Sequence, residues 1–198
     1  HGVYKAGEEL RFQFILLGDA VQYCEPVIKI LAETRWFKMG AERKLFELTE
    51  IRQGQTLQLI WKNGGVEWKN AVSQLVPDTA QKNSTYGSIH FLTPLRIRRK
   101  GSLLLTVDFP TIIRNITRRM SDLTERYGGD VDFAEIETLQ YLSEMVQEVS
   151  SGVYLNNIDR YSIRRNMKMD LSGLMGAMTF QGELSVFTPW LNAASVLH

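Results

Sequence analysis

Cysteine is nearly missing from this sequence, with Cys24 the only one in 198 residues. That excludes an internal disulfide and any multi-cysteine metal site. Histidine is scarce as well: His1, His90 and His198 are the only candidates of that type for proton transfer near neutral pH. No histidine pair at ligand spacing, no HExxH and no Walker-type loop occurs. No apolar run reaches the ~18 residues that span a membrane, and the opening residues do not read as a secretory signal. Net charge is almost nil at +1, so affinity for anions must come from local clustering. Internal repeats and low-complexity tracts are absent. The expectation is a cytoplasmic protein without a membrane, long enough to bury a real core as one domain over residues 1–198.

Charge clusters are what the sequence does have. Cations gather at Arg96–Lys100, Arg114–Arg119 and Arg160–Lys168, whereas Asp122 to Glu148 is mostly acidic. The chain is organised around Asp159–Leu184. There Arg160, Tyr161, Arg164, Arg165 and Lys168 precede Gly173 and Gly176, and Ala177–Leu184 reads as a strand with Gly182 at a bulge or turn. Cations leading through a small-residue turn into a strand suit a grip on a phosphate backbone. By themselves they suit a solvated face leading into a sheet better, because charge runs are usually solvated faces. A helix across Ser162–Lys168 would split these cations between faces.

Periodicity gives the elements. Leu10, Phe12, Phe14 and Leu16 alternate, which predicts a strand over Glu8–Leu17. Pro26 opens a helix with Val27, Ile28, Leu31 and Ala32 inward, ending near Arg35. A second strand is expected over Arg43–Ile51, then a hairpin turning at Asn63-Gly64 between Thr56–Lys62 and Val66–Trp68. Pro77–Gly87 is polar and turn-rich, the pattern of a mobile loop. Ile89–Leu92 and Ser102–Thr106 read as short strands around the basic Arg96–Lys100.

Two helices follow. One is capped by Asp108 or Thr111, with Ile112, Ile113, Ile116, Met120, Leu123 and Tyr127 inward and Arg114, Arg118 and Arg119 outward, and Gly128-Gly129 ends it. The other starts at Asp132 with Glu135 in capping-box register and carries Leu139, Leu142, Val146 and Val149. A strand over Val153–Ile158 and a last helix over Val186–Leu197 complete the order. The expected fold is α+β and ferredoxin-like, β-α-β-β-α-β, an antiparallel sheet with an inserted β-hairpin and an inserted helix pair.

Candidate chemistry is thin. His90 sits between Ile89 and Phe91 on a strand and points away from both, which fits a surface position as well as catalysis. Ser172, Thr179 and Cys24 have no histidine partner in the sequence pattern, so nucleophilic catalysis is unsupported. Trp36, Trp61, Trp68 and Trp190 suit base stacking or core and hairpin packing. The run Arg96, Arg98, Arg99 and Lys100 suits anion binding or an edge strand charged against aggregation.

Taken in order, FILLG (Phe14–Gly18), Pro26, WFKMGAERKLFEL (Trp36–Leu48), FLTPLRIRRKG (Phe91–Gly101), DRYSIRRNMKM (Asp159–Met169) and SGLMGAMTFQGELSVFTPWL (Ser172–Leu191) form a set. The set resembles the C-terminal domain of the CRISPR RNA-processing endoribonucleases of the RAMP superfamily. The resemblance implies two ferredoxin-like domains in the full-length protein, with CRISPR repeat RNA bound across them. It implies cleavage without metal or cofactor by the RNA's own 2′-hydroxyl, leaving a cyclic phosphate. Arg96, Arg98, Arg99, Lys100, Arg160, Tyr161, Arg164, Arg165 and Lys168 would then be the RNA contacts. The family's catalytic histidine belongs to an N-terminal domain with no counterpart here, so no catalytic residue carries over. The final helix stops where the family continues into a glycine-rich loop, so the expectation is a fragment or a trimmed chain. Two other readings stay open: a non-catalytic RNA-holding subunit partnered with CRISPR effector-complex proteins, and an interaction domain with no RNA role. Oligomeric state is not legible.

Overall fold

The computed structural model describes residues 4–40, 42–54, 56–62, 64–67, 84–162 and 167–197. Where the sequence reads as one domain, residue proximity divides the chain into two compact units, His1–Val76 and Pro77–His198. The division falls at the start of the polar Pro77–Gly87 stretch, whose residues 77–83 lie outside the described ones.

In the first unit, helix α1 (Cys24–Thr34) buries Ile28, with Val27, Leu31 and Ala32 half-buried beside it, as the spacing predicts. Arg35 closes it at φ +50, and its guanidinium donates to Glu47 Oε1 at 2.6 and 3.0 Å. Strand β1 (Trp36–Met39), which the sequence did not reveal, pairs antiparallel with β2 (Lys44–Glu47). The single strand expected over Arg43–Ile51 is two, because β2 ends before β3 (Glu50–Arg52) joins a different sheet. In that sheet β3 pairs with β4 (Leu59–Lys62), and β4 with β5 (Gly65–Val66), in the hairpin the sequence predicts beside Gly64.

The strand expected over Glu8–Leu17 is absent. That segment has no ladder among the described residues, and Phe12 and Phe14 stand exposed, 51% and 63%, with rings 5.3 Å apart. Alternation alone does not make a strand when no neighbour takes its backbone hydrogen bonds.

The second unit holds the main sheet. Strand β6 (Tyr86–Leu95) is followed by the short hairpin β7 (Arg98–Arg99) and β8 (Ser102–Leu103). Helices α2 (Phe109–Tyr127) and α3 (Phe133–Ser143) follow, then β9 (Gln147–Ser151) and β10 (Tyr154–Asn156). The hairpin β11 (Asp159–Ser162) and β12 (Met167–Asp170) precedes β13 (Gly173–Gln181), and α4 (Thr188–Leu197) ends the described chain. β13 is central. β6 pairs along one edge of it from Leu174 to Gln181, which leaves the other edge to β9 and β10, one strand interrupted at Gly152-Val153.

All these ladders are antiparallel. The succession β6, α2–α3, β9/β10, β13, α4, with the third strand between the first two, is ferredoxin-like. The helix pair is its first crossover itself, a place that the sequence reading gave to the Pro26 helix while taking the pair as an insertion. The scaffold starts at Tyr86 rather than at Glu8. Two further corrections concern ends of elements. α3 stops at Ser143, so Val149 lies on β9 rather than on the helix stripe. Gly173 and Gly176 lie inside β13, not in a turn before it.

The core lies between one face of the sheet and the helices, with Leu174, Met178 and Phe180 of β13 against Phe109, Ile112 and Ile113 of α2, Leu139 of α3 and Phe187. Phe109 meets Phe180 and Phe187 with ring centroids 4.9 Å apart in each pair. Each such buried side chain contributes roughly 1.5–3 kcal/mol by leaving water. Arg114, Arg118 and Arg119 face outward from α2, as its periodicity requires.

Asp108 caps α2, its Oδ1 accepting from the Thr111 N–H at 2.8 Å. The Thr111 hydroxyl and N–H together hold the Asp108 carboxyl below the usual range. A depressed folded-state pKa means that the stabilisation is complete above the unfolded value near ~3.9 and is lost as pH falls through the folded one. Asp108→Ala is therefore expected to cost about 1 kcal/mol near neutral pH. The gap to wild type in urea midpoint should close on acidification, whereas a pH-independent gap would contradict the capping account.

Candidate nucleic-acid interface

Two of the three basic clusters of the second unit, Arg96–Lys100 and Arg160–Lys168, lie on hairpins at one end of the sheet, while Arg114–Arg119 lies on α2. β6 ends at Leu95, whose register partner is Leu174 at the start of β13. The first hairpin, β7–β8, follows β6 directly, and the second, β11–β12, directly precedes β13. Their bases are therefore neighbours through the β6–β13 ladder.

The first hairpin turns at Lys100 and Gly101, both at positive φ (+51 and +83). Two positive φ values match the twist of the flanking strands. Arg98 pairs with Leu103 and Arg99 with Ser102. Arg98, Arg99 and Lys100 are all exposed, while Ile97 at the base is buried in the core. Leu104 N–H donates to the Ile97 carbonyl at 2.8 Å and closes that base. Arg98 Nη1 reaches the Gly101 carbonyl at 3.3 Å, a contact that leaves most of the guanidinium open.

The second hairpin pairs Arg160 with Met169 and Tyr161 with Lys168. Ser162, Met167 and Lys168 lie on strands rather than on a helix, and β11 and β12 place Tyr161 and Lys168 at one register position and Arg160 at the next, so strand alternation still sets Arg160 apart from the other two. Arg164 and Arg165 lie outside the described residues. At the base, Leu171 N–H donates to Ile158 O at 2.7 Å, and Ile158 N–H donates to Ser172 Oγ at 3.1 Å. Asp170 Oδ1 accepts from Ser172 N–H at 2.8 Å.

Arg96 differs from its neighbours. Its guanidinium donates to the Ser172 carbonyl and stands 3.8 Å from Asp170, with only 25% of the side chain exposed. Sequence grouped it with Arg98, Arg99 and Lys100 as an anion contact; the fold engages it with the chain itself. Asp170 is acidified first by the Ser172 hydroxyl and N–H, then by the Arg96 and Arg98 cations, so the first hairpin's charge reaches the base of the second. Asp170 escaped the sequence reading, and Ser172 entered it only as a nucleophile without a base.

The remaining candidates stand elsewhere. His90 is exposed on the outer face of the sheet, opposite Ala177, two residues from the Ser88–Thr179 hydroxyl pair at 2.9 Å. Trp61 is buried in the first unit, and Trp190 Nε1 donates to Glu135 at 3.1 Å, both packing roles. Trp36 is exposed on β1, and Trp68 lies outside the described residues.

The family model described as CRISPR-associated endoribonuclease Cas6 matches residues 89–198. A second model, described as an N-terminal domain, matches residues 1–74. No curated protein matches the chain. Among solved structures, a Thermus thermophilus Cas6 is 13% identical, covering 59% of this chain and 48% of its own, with a TM-score of 0.45. A Cas6 product complex is 16% identical over 57% of this chain and 44% of its own, with a TM-score of 0.38. A further Cas6 product complex is 13% identical over 58% and 44%, with a TM-score of 0.40. The chain thus spans about half the length of the Cas6 chains it matches.

Proposed function

Because the chain belongs to the CRISPR-associated endoribonuclease Cas6 family, we propose that it supplies the RNA grip in CRISPR RNA processing. Its two basic hairpins hold the phosphate backbone of a CRISPR repeat transcript. The carrying observation is that the matched segment, residues 89–198, contains every cation of both hairpins. Backbone contact by exposed Arg and Lys side chains supplies affinity and position rather than sequence choice. Cutting is assigned to no residue described here. By the family's chemistry, the RNA's own 2′-hydroxyl is the nucleophile, and a chelator leaves the reaction running.

The test is a labelled CRISPR repeat RNA mixed with the full chain over a salt series and then incubated with excess chelator. Binding that weakens steeply with salt supports the grip, with a log–log slope near −0.7 for each single-stranded phosphate neutralised. Cleavage to a cyclic-phosphate end under chelation extends the reading to catalysis. Tight binding without cleavage reassigns the chain to an RNA-holding subunit, and absence of salt-dependent binding overturns the proposal.

A further inference from the structure

Arg96 sits where the two hairpin bases meet. We infer that it is a positioning residue: its guanidinium, bonded to the Ser172 carbonyl and facing Asp170, fixes hairpins β7–β8 and β11–β12 against each other so that RNA meets both hairpins together. This rests on the proposed grip and assigns Arg96 a task different from that of its cationic neighbours.

Four observations converge on the junction. Arg96 leaves β6 immediately after Leu95, and Ser172 enters β13 immediately before Gly173, so the bond ties the exit of one strand to the entry of its partner. The two backbones already touch there: a Cβ on Gly173 would lie 2.8 Å from the Leu95 carbonyl oxygen, 2.8 Å from Pro94 Cβ and 3.0 Å from Arg96 Cγ. The absent side chain is what lets the Arg96 stem pass this close to Gly173. Ser172 passes the constraint on, because its Oγ accepts from Ile158 N–H at the other end of the second hairpin. Asp170 completes the set by holding Ser172 N–H with one oxygen and facing Arg96 with the other.

Geometry also says why this position holds arginine. A planar fork can hold a carbonyl with one nitrogen while another faces a carboxylate, which the single ammonium of lysine cannot reproduce. With three-quarters of the side chain covered and two guanidinium nitrogens engaged by the chain, Arg96 is less open to a phosphate than the exposed Arg98 and Arg99.

Charge and position predict opposite results, so three variants separate them. If Arg96 acts as a charge, Arg96→Lys keeps RNA affinity, and Asp170→Ala tightens binding by removing an anion beside the phosphates. If it positions the hairpins, Arg96→Lys weakens repeat-RNA binding about as much as Arg96→Ala, on the order of tenfold, and Asp170→Ala also weakens it. Amide exchange of the same proteins without RNA reads the junction directly. The Leu104 and Leu171 amides should exchange about fivefold faster in Arg96→Ala, the equivalent of one net hydrogen bond, with the Ile113 amide in α2 unchanged. Wild-type affinity in Arg96→Lys, tighter binding in Asp170→Ala, or unchanged exchange at Leu104 and Leu171 each overturns the inference. Wild-type protein that binds no repeat RNA overturns the grip instead, and the exchange measurement still decides whether Arg96 fixes the hairpins.

Discussion

Gly176→Ala is expected to destabilise the sheet-bearing unit by about 3 kcal/mol, a fall in melting temperature of roughly 6–12 °C. Two costs add. Gly176 has φ +115, a conformation that L side chains rarely adopt. Its position also leaves no room: a Cβ would overlap the Gly152 carbonyl oxygen and lie 3.1 Å from that carbonyl carbon and 3.2 Å from Val153 Cα. These are backbone atoms at the break between β9 and β10, where Gly152 N–H already donates to Ala177 O at 2.8 Å, so they cannot swing aside as a side chain would. The β6 ladder shifts register between Leu174 and Gly176 on the other edge. A substituent there disturbs both neighbours of the central strand. Gly128→Ala is the control, because its φ of +85 carries backbone strain with nothing within 4 Å of the added methyl. A Gly176→Ala protein melting within ~2 °C of wild type would refute this account of the bulge.

The second large effect is on binding. Removing all three tip cations of the first hairpin as Arg98→Ala, Arg99→Ala and Lys100→Asn is expected to weaken repeat-RNA binding about a hundredfold near 0.1 M salt, on the order of 1 kcal/mol per contact. Asparagine is chosen at position 100 because it tolerates the φ of +51 there, and Asn-Gly is a favoured two-residue turn. All three side chains are exposed, so folding should be unaffected, and a melting temperature within ~2 °C of wild type verifies that. Affinity unchanged by the triple substitution would remove the first hairpin from the interface.

The sequence revealed best what local chemistry controls. The Asp108 cap, the Gly128 stop and the Asp132 cap delimit α2 and α3 because N-caps and glycine breaks act within one turn of helix. The turn beside Gly64 and the helix opening at Pro26 were legible for the same reason. What failed depends on distant partners. Residues 8–17 alternate as a strand should, yet no described strand pairs with them. Gly173 and Gly176 look like a turn because glycine signals both turns and close backbone approach; only the positions of Leu95 and Gly152 show that approach is the reason. At the candidate site, sequence found the cations but could not sort them. Arg96 reads like Arg98 until the fold brings in Ser172, 76 residues further on.

The central claim is that RNA is held by the hairpins, not by net charge. It is tested most directly by the salt dependence of repeat-RNA binding for wild type and two variants of equal charge loss. One is the first-hairpin variant above; the other is Arg114→Ala, Arg118→Ala and Arg119→Ala on the exposed face of α2. The account predicts a log–log slope shallower by roughly 2 for the hairpin variant, about 0.7 for each of its contacts, with the α2 variant close to wild type. Equal slopes and equal affinity losses for the two variants would contradict it.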